Sequence, residues 1–284
     1  MTSSTDQASA DNASADKVSA KSEIPALAID KLRIAFGGIV AVQDLSISVA
    51  AGSVHALIGP NGAGKTTVLN CISRFYSPDT GSIRVADREI TKLADYQIAG
   101  MGVARTFQNL ELFGDLSVLD NVRIARHRFQ RASLIEVLWN LPRKRRDDAE
   151  QQERAATIIE SVGLAAQMNA RVRDLPYGTQ KLVELARAIA LEPKLLLLDE
   201  PAAGMNNREI GKLGELLVSL RQRLDATMLL IEHNMAMVMA ISDRITVMHN
   251  GAFLAEGTPS QIESNDAVIT AYLGGGKRGR RAHG

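Results

Sequence analysis

The chain has 284 residues, 45% apolar and 23% charged, which is enough for one large domain or two lobes around a sizeable core. Lys and Arg total 33 against 32 Asp and Glu, and the formal net charge of +1 removes any global electrostatic case for nucleic-acid binding. The single cysteine, Cys71, excludes an intrachain disulfide and a Cys-rich zinc site, and the apolar runs at 195–198 and 228–231 stop far short of the ~20 residues of a spanning helix.

In chain order, residues 1–22 are rich in Ser, Ala and Asp without an apolar block of secretory length, and read as a disordered tail. Apolar alternation over Leu27–Phe36 and Leu45–Val49 predicts early strands, and Val54–Ile58 predicts a buried strand ending at Gly59. A helix is expected to open at Gly64 and run to Ser73. From Leu116 to Gly163 the pattern is helical and charge-rich with no convincing buried strand, and predicts a separate helical lobe. Within it Leu134, Ile135, Val137, Leu138 and Trp139 precede Arg143-Lys144-Arg145-Arg146, which reads either as a solvated helix end or as a face for a membrane or partner. Leu195–Leu198, Thr227–Ile231 and Ile245–Met248 are further buried strands. Ile210, Leu213, Leu217, Leu220 and Leu224 form one helical stripe. Buried strands alternating with amphipathic helices predict an α/β fold with a mostly parallel, helix-covered sheet. Residues 274–284 close the chain as a flexible basic tail.

Gly59-Pro60-Asn61-Gly62-Ala63-Gly64-Lys65-Thr66, followed by Thr67, places two glycines four residues apart before Lys and Thr, between a strand and a helix. Such a loop wraps its backbone N–H groups around phosphate, and the helix dipole adds to the attraction. Lys65 is expected to reach the β and γ phosphates and Thr66 to ligate Mg²⁺. The buried strand Leu195–Leu198 ends in Asp199 and Glu200, with Asp199 the expected partner of Mg²⁺ and Glu200 the base or polariser of the attacking water. His233 follows the strand Thr227–Ile231 and is expected at the same sheet edge, near the γ-phosphate or the water. Pattern alone leaves Gln108 a surface glutamine and Phe36 a core residue.

The phosphate loop, Gln108, the segment Leu175-Pro176-Tyr177-Gly178-Thr179-Gln180, the Asp199-Glu200 pair and His233 stand in an order and at separations that resemble the ATP-binding subunits of ABC transporters. The resemblance covers residues 26–273. It implies a P-loop NTPase core with an antiparallel β subdomain and a helical subdomain at about 109–178, within a domain spanning 23–273. It also implies ATP and Mg²⁺ as ligands, Phe36 stacked on adenine with Val42 beside the nucleoside, and Gln108 reaching metal or water. Two such subunits dimerise head to tail, and Gly178, at the start of an amphipathic helix, would present its N–H to the partner's γ-phosphate. One departure is Pro176, where the family usually has Ser, so that a hydroxyl and a backbone N–H are both missing.

Finer likeness, in Ala104–Asn109, Pro201–Asn206, Ile231–Met235 and Ala271–Gly274, is to the larger ATPase of branched-chain amino acid importers. It implies a paralogous ATPase (or a second copy of this chain), two permease subunits and, indirectly, an extracytoplasmic binding protein, with the chain peripheral on the cytoplasmic face of the plasma membrane. No nucleic acid is expected. Relatives importing urea, amides or aromatic acids share these features, and a non-transport ABC ATPase acting on ribosomes or nucleic acid is the rival reading. Leu110, Leu112 and Phe113 fit either a permease-facing surface or ordinary packing.

Overall fold

Val54–Ile58 (β3), Leu195–Asp199 (β7) and Thr227–Ile231 (β8) are buried at every position, which requires a sheet covered on both faces. The computed structural model describes residues 24–108, 110–129 and 142–273. The tails and the apolar stretch 134–139 lie outside them. Its larger sheet has six strands in the order β10-β9-β3-β8-β7-β6, where β6 is Val103–Arg105, β9 Arg244–His249 and β10 Ala252–Gly257. All neighbours run parallel except β9 and β10. Alternation along the strands divides the core: Leu195 and Leu197 join one hydrophobic cluster, Leu196 and Leu198 another.

The first cluster is closed by α1 (Lys65–Ile72) and by a four-stranded antiparallel sheet in the order β2-β1-β4-β5. Its strands are β1 (Leu27–Phe36), β2 (Ile39–Val49), β4 (Thr80–Val85) and β5 (Arg88–Glu89). The Gln43 N–H donates to the Gly251 carbonyl at 2.7 Å and so joins β2 to the β9–β10 turn. On the opposite face lie α5 (Tyr177–Ile189) and α6 (Asn207–Leu224), numbered after α2 (Asp95–Gly100), α3 (Val118–Arg126) and α4 (Pro142–Ser161). Leu213, Leu217 and Leu220 of the expected stripe are buried, and Ile210 and Leu224 pack at its margin. The short helices α7 (Met235–Ile241), α8 (Pro259–Glu263) and α9 (Asp266–Leu273) cover the β9 end.

The helices α3 and α4 do not enclose a core of their own. Val118, Val122, Ala155 and Ile159 share one continuous cluster with Leu196 and Leu198 of β7. Buried Arg126 fastens them, donating to Gln151 Oε1 at 2.9 Å, the Ala190 carbonyl at 3.2 Å and Glu192 Oε1 at 3.1 Å. The basic cluster occupies the first turns of α4, where Lys144 pairs with Asp148.

Candidate functional site

The phosphate loop sits where β3 hands over to α1. Gly59 and Gly64 adopt φ of 156° and 94°, and a Cβ on them would lie 2.2 Å from the Met248 carbonyl oxygen and 2.3 Å from that of Ala41. Only glycine lets the loop lie this close to β9 and β2. Because Gly64 caps α1 without a side chain, the first N–H groups of the helix face an incoming anion rather than a capping oxygen. Lys65 is buried to 6% exposure and donates from Nζ to the carbonyls of Gly59 at 2.8 Å and Pro60 at 3.1 Å. Burial lowers its pKa, while the carboxylates of Glu200 and Asp199 act to raise it.

Two carboxylates stand opposite Lys65 in very different surroundings. Asp199, at the end of β7, is 1% exposed, and its Oδ2 accepts from Arg105 Nη2 at 2.8 Å. Its Oδ1 is buried with no hydrogen-bond partner among the described residues. Burial raises the Asp199 pKa against the lowering effect of Arg105. Glu200 adopts φ of 50°, a left-handed turn rare for a side-chain-bearing residue, in which its N–H donates to the Ile231 carbonyl at 2.9 Å. The turn aims its carboxylate away from the core. Glu200 Oε1 lies 2.9 Å from His233 Nε2, and its Oε2 accepts from Gln108 Nε2 at 3.3 Å.

A cavity of about 670 Å³ collects Asn61, Gly62, Ala63, Gly64, Lys65, Thr66, Thr67, Gln108, Glu200 and His233, with Ala41 at its wall. Val42 and Phe36 do not line it, and neither does Gly178, which is expected at the partner's nucleotide. Val42 is fully buried, because alternation along β2 turns it toward the core behind Gly64, and its neighbour Ala41 lines the cavity. Phe36 is exposed at the end of β1, its ring edge-on to Tyr76 at 5.0 Å. Gly178 lines a separate cavity with Thr179, Met205 and Glu209. Of the apolar loop residues, Leu112 packs against the core, and Phe113 is exposed under the Arg187 guanidinium.

Several contributors went unread in the sequence. Arg105 pairs with Asp199 and also binds Asn70 Oδ1 at 2.7 Å. Lys181 and Glu184, both buried on α5, grip the loop that carries Gln108: Lys181 Nζ donates to the carbonyls of Phe107 at 3.0 Å and Gln108 at 2.9 Å, and Glu184 Oε1 accepts from the Phe107 N–H at 2.6 Å. Glu232, one residue before His233, is 5% exposed. Charged letters beside a motif carry no periodic signal, so nothing in the sequence separates these residues from solvated ones.

Comparison with known proteins bears on what this arrangement is. The family model described as ABC transporter matches residues 42–203. This chain belongs to the ABC transporter family. A second model, described as branched-chain amino acid ATP-binding cassette transporter, matches residues 254–278 of this ABC transporter ATPase. Over 250 residues the ABC chain is 45% identical to the high-affinity branched-chain amino acid transport ATP-binding protein LivG of Salmonella typhimurium, covering 88% of this chain and 98% of LivG. It is 44% identical over the same length to BraF of Pseudomonas aeruginosa, a protein with the same descriptive name. Among solved structures, the ADP conformation of an ATP-binding cassette of an ABC transporter superposes with a TM-score of 0.76 at 29% identity, covering 88% of this chain and 99% of that one. The fold is accordingly that of an ABC ATPase, and the chain binds ATP and hydrolyses it as the ATPase subunit of a transporter.

Proposed function

We propose that this ATPase powers import of branched-chain amino acids, and that hydrolysis occurs in the cavity between the phosphate loop and Glu200. The observation that carries the chemistry is the convergence of His233 and Gln108 on the two oxygens of Glu200, across the cavity from Lys65. The cargo rests on the 45% identity to LivG and on the match over 254–278.

In this reading, the N–H groups at the start of α1 and the Lys65 ammonium hold the β and γ phosphates. Glu200 orients and deprotonates the attacking water, and His233 holds the Glu200 carboxylate and meets the γ-phosphate. Mg²⁺ suits the donors present. Asp199 offers a buried oxygen without a partner and Thr66 a hydroxyl at the cavity wall, while Gln108 adds an amide oxygen. A set with one carboxylate, one hydroxyl and one amide would hold Mg²⁺ together with phosphate oxygens of the nucleotide. When bound, Mg²⁺ neutralises charge on those oxygens. The ring of Phe36, exposed at the end of β1, stacks on the base in this reading, with Ala41 at the cavity wall.

The working form is a dimer, with the paralogous ATPase or a second copy, in which Gly178 and the start of α5 face the nucleotide of the other subunit. No described helix is long and apolar enough to cross a membrane. In this reading two permease subunits hold the ATPase at the cytoplasmic face and receive substrate from a binding protein. Tagging the Glu200→Gln form in its native cells, solubilising membranes with ATP and Mg²⁺ and identifying what co-purifies tests this. A second ATPase with two polytopic permeases supports the importer. Ribosomal proteins or nucleic acid without a permease overturn it. The co-purifying system's binding protein is then screened against leucine, isoleucine, valine, urea and amides, and preference for the last two overturns the cargo.

A further inference from the structure

The Glu200–His233 contact joins two loops whose strands have already ended. The β7–β8 ladder stops at the pair Asp199 and Ile231, after which the chain turns away on each side. Between the two loops lies Glu232, with both carboxylate oxygens committed. Oε1 accepts from the Ala202 N–H at 2.8 Å, in the loop after β7. Oε2 accepts from the N–H groups of His233 at 2.8 Å and Asn234 at 3.2 Å, in the loop after β8. Asn234 in turn caps α7 by accepting from the Met237 N–H at 2.9 Å. Three backbone donors thus meet one buried anion, and charge-assisted bonds of this kind are shorter and stronger than neutral ones. The bond to Ala202 also closes the turn in which Glu200 is held at positive φ.

We propose that Glu232 is a positioning residue for ATP hydrolysis, its carboxylate tying the loop of Glu200 to the loop of His233 and holding the two side chains in register. The proposal rests on the hydrolytic reading above. Glu232 itself touches neither the cavity nor the Glu200 side chain. It acts through the backbone on both sides of the pair.

The test is Glu232→Gln, which keeps the volume but must turn an NH₂ group toward at least one backbone N–H, where two donors oppose each other. In the purified chain, or in its complex with the permeases, kcat falls about 10- to 100-fold while KM for ATP stays within about twofold. In a His233→Ala background the same change costs no more than about a further twofold, because the group it positions is gone. A purely structural role would multiply the two losses. Amide hydrogen exchange at Ala202, His233 and Asn234 supplies a readout independent of turnover, and it speeds up in the variant at Ala202 or at the His233–Asn234 pair, whichever side the NH₂ group faces. Full kcat, multiplicative losses in the double variant, equal loss of nucleotide binding or unchanged exchange each overturn the proposal. If the unaltered chain, assembled with its partner ATPase and permeases, turns over no ATP, the hydrolytic reading fails, and exchange still decides whether Glu232 ties the loops. Should Glu232→Gln not fold, Glu232→Asp, which keeps the charge and shortens the reach, is read by the same measurements.

Discussion

Two adjacent residues, Asp199 and Glu200, carry the same functional group and are sent to different tasks by one backbone dihedral. Asp199 completes the strand and points into the core toward Arg105, whereas Glu200 leaves through a left-handed turn into the cavity. Glu200→Gln therefore retains ATP binding and loses about 10²- to 10⁴-fold in turnover, which parallel binding and phosphate-release assays measure. Unaltered turnover would remove its assigned role. Arg105 and Asp199 are 7% and 1% exposed, so Arg105→Met strands a buried carboxylate and lowers unfolding free energy by about 3 kcal/mol or more. Adding Asp199→Asn recovers part of that loss, and chemical denaturation of the four proteins in the cycle checks it. At this scale the phosphate loop, Asp199, Glu200 and His233 are legible because their residue types at those spacings suit one chemistry. Arg105 and Glu232 are not, since the partners that define them, Asp199 and Ala202, lie 94 and 30 residues away and meet them only through the fold.

Among the elements, the fully buried strands were the easiest to read. Val54–Ile58 and Thr227–Ile231 match their predicted limits, and the helix expected at Gly64–Ser73 has those two residues as its caps. The strands at 80–85, 88–89, 103–105 and 252–257 carry no apolar run long enough to declare themselves, being short, polar or at sheet edges. Strand β3 brings a buried polar residue with it. Thr246 gives its hydroxyl proton to Glu256 Oε2 at 2.9 Å, so His55 Nε2 donates to Thr246 Oγ1 at 2.7 Å. Burial holds the imidazole pKa down at about 4, from 6.5. Above pH 6.5 neither folded nor unfolded His55 is protonated and stability is unaffected by it. As pH falls from 6.5 to 4 only the unfolded state takes the proton, and about 3 kcal/mol of stability is lost. Denaturant titrations across that range show a steeper acid loss for the native chain than for His55→Gln, and equal slopes would contradict the assignment.

For the molecule as a whole, the weak point of the proposed composite site is the start of α5. Pro176 occupies the N-cap position with φ of −55° and ψ of 148°, and no side chain caps the helix there. Pro176→Ser supplies a capping oxygen worth about 1 kcal/mol to the isolated chain and a hydroxyl for the partner's nucleotide. Turnover of the assembled complex should rise. A gain in melting temperature without a gain in turnover would confine the effect to the cap.

The grip of Lys181 and Glu184 on the Phe107–Gln108 backbone makes α5 a lever whose short arm is the Gln108 side chain. In the proposed dimer, a tilt of the helix imposed at Gly178 would reach that amide within two turns, through Lys181 and Glu184, and displace it relative to Glu200. The separation of Gln108 and Glu200, 3.3 Å here, is therefore the distance through which engagement of the neighbouring subunit would be felt at the carboxylate.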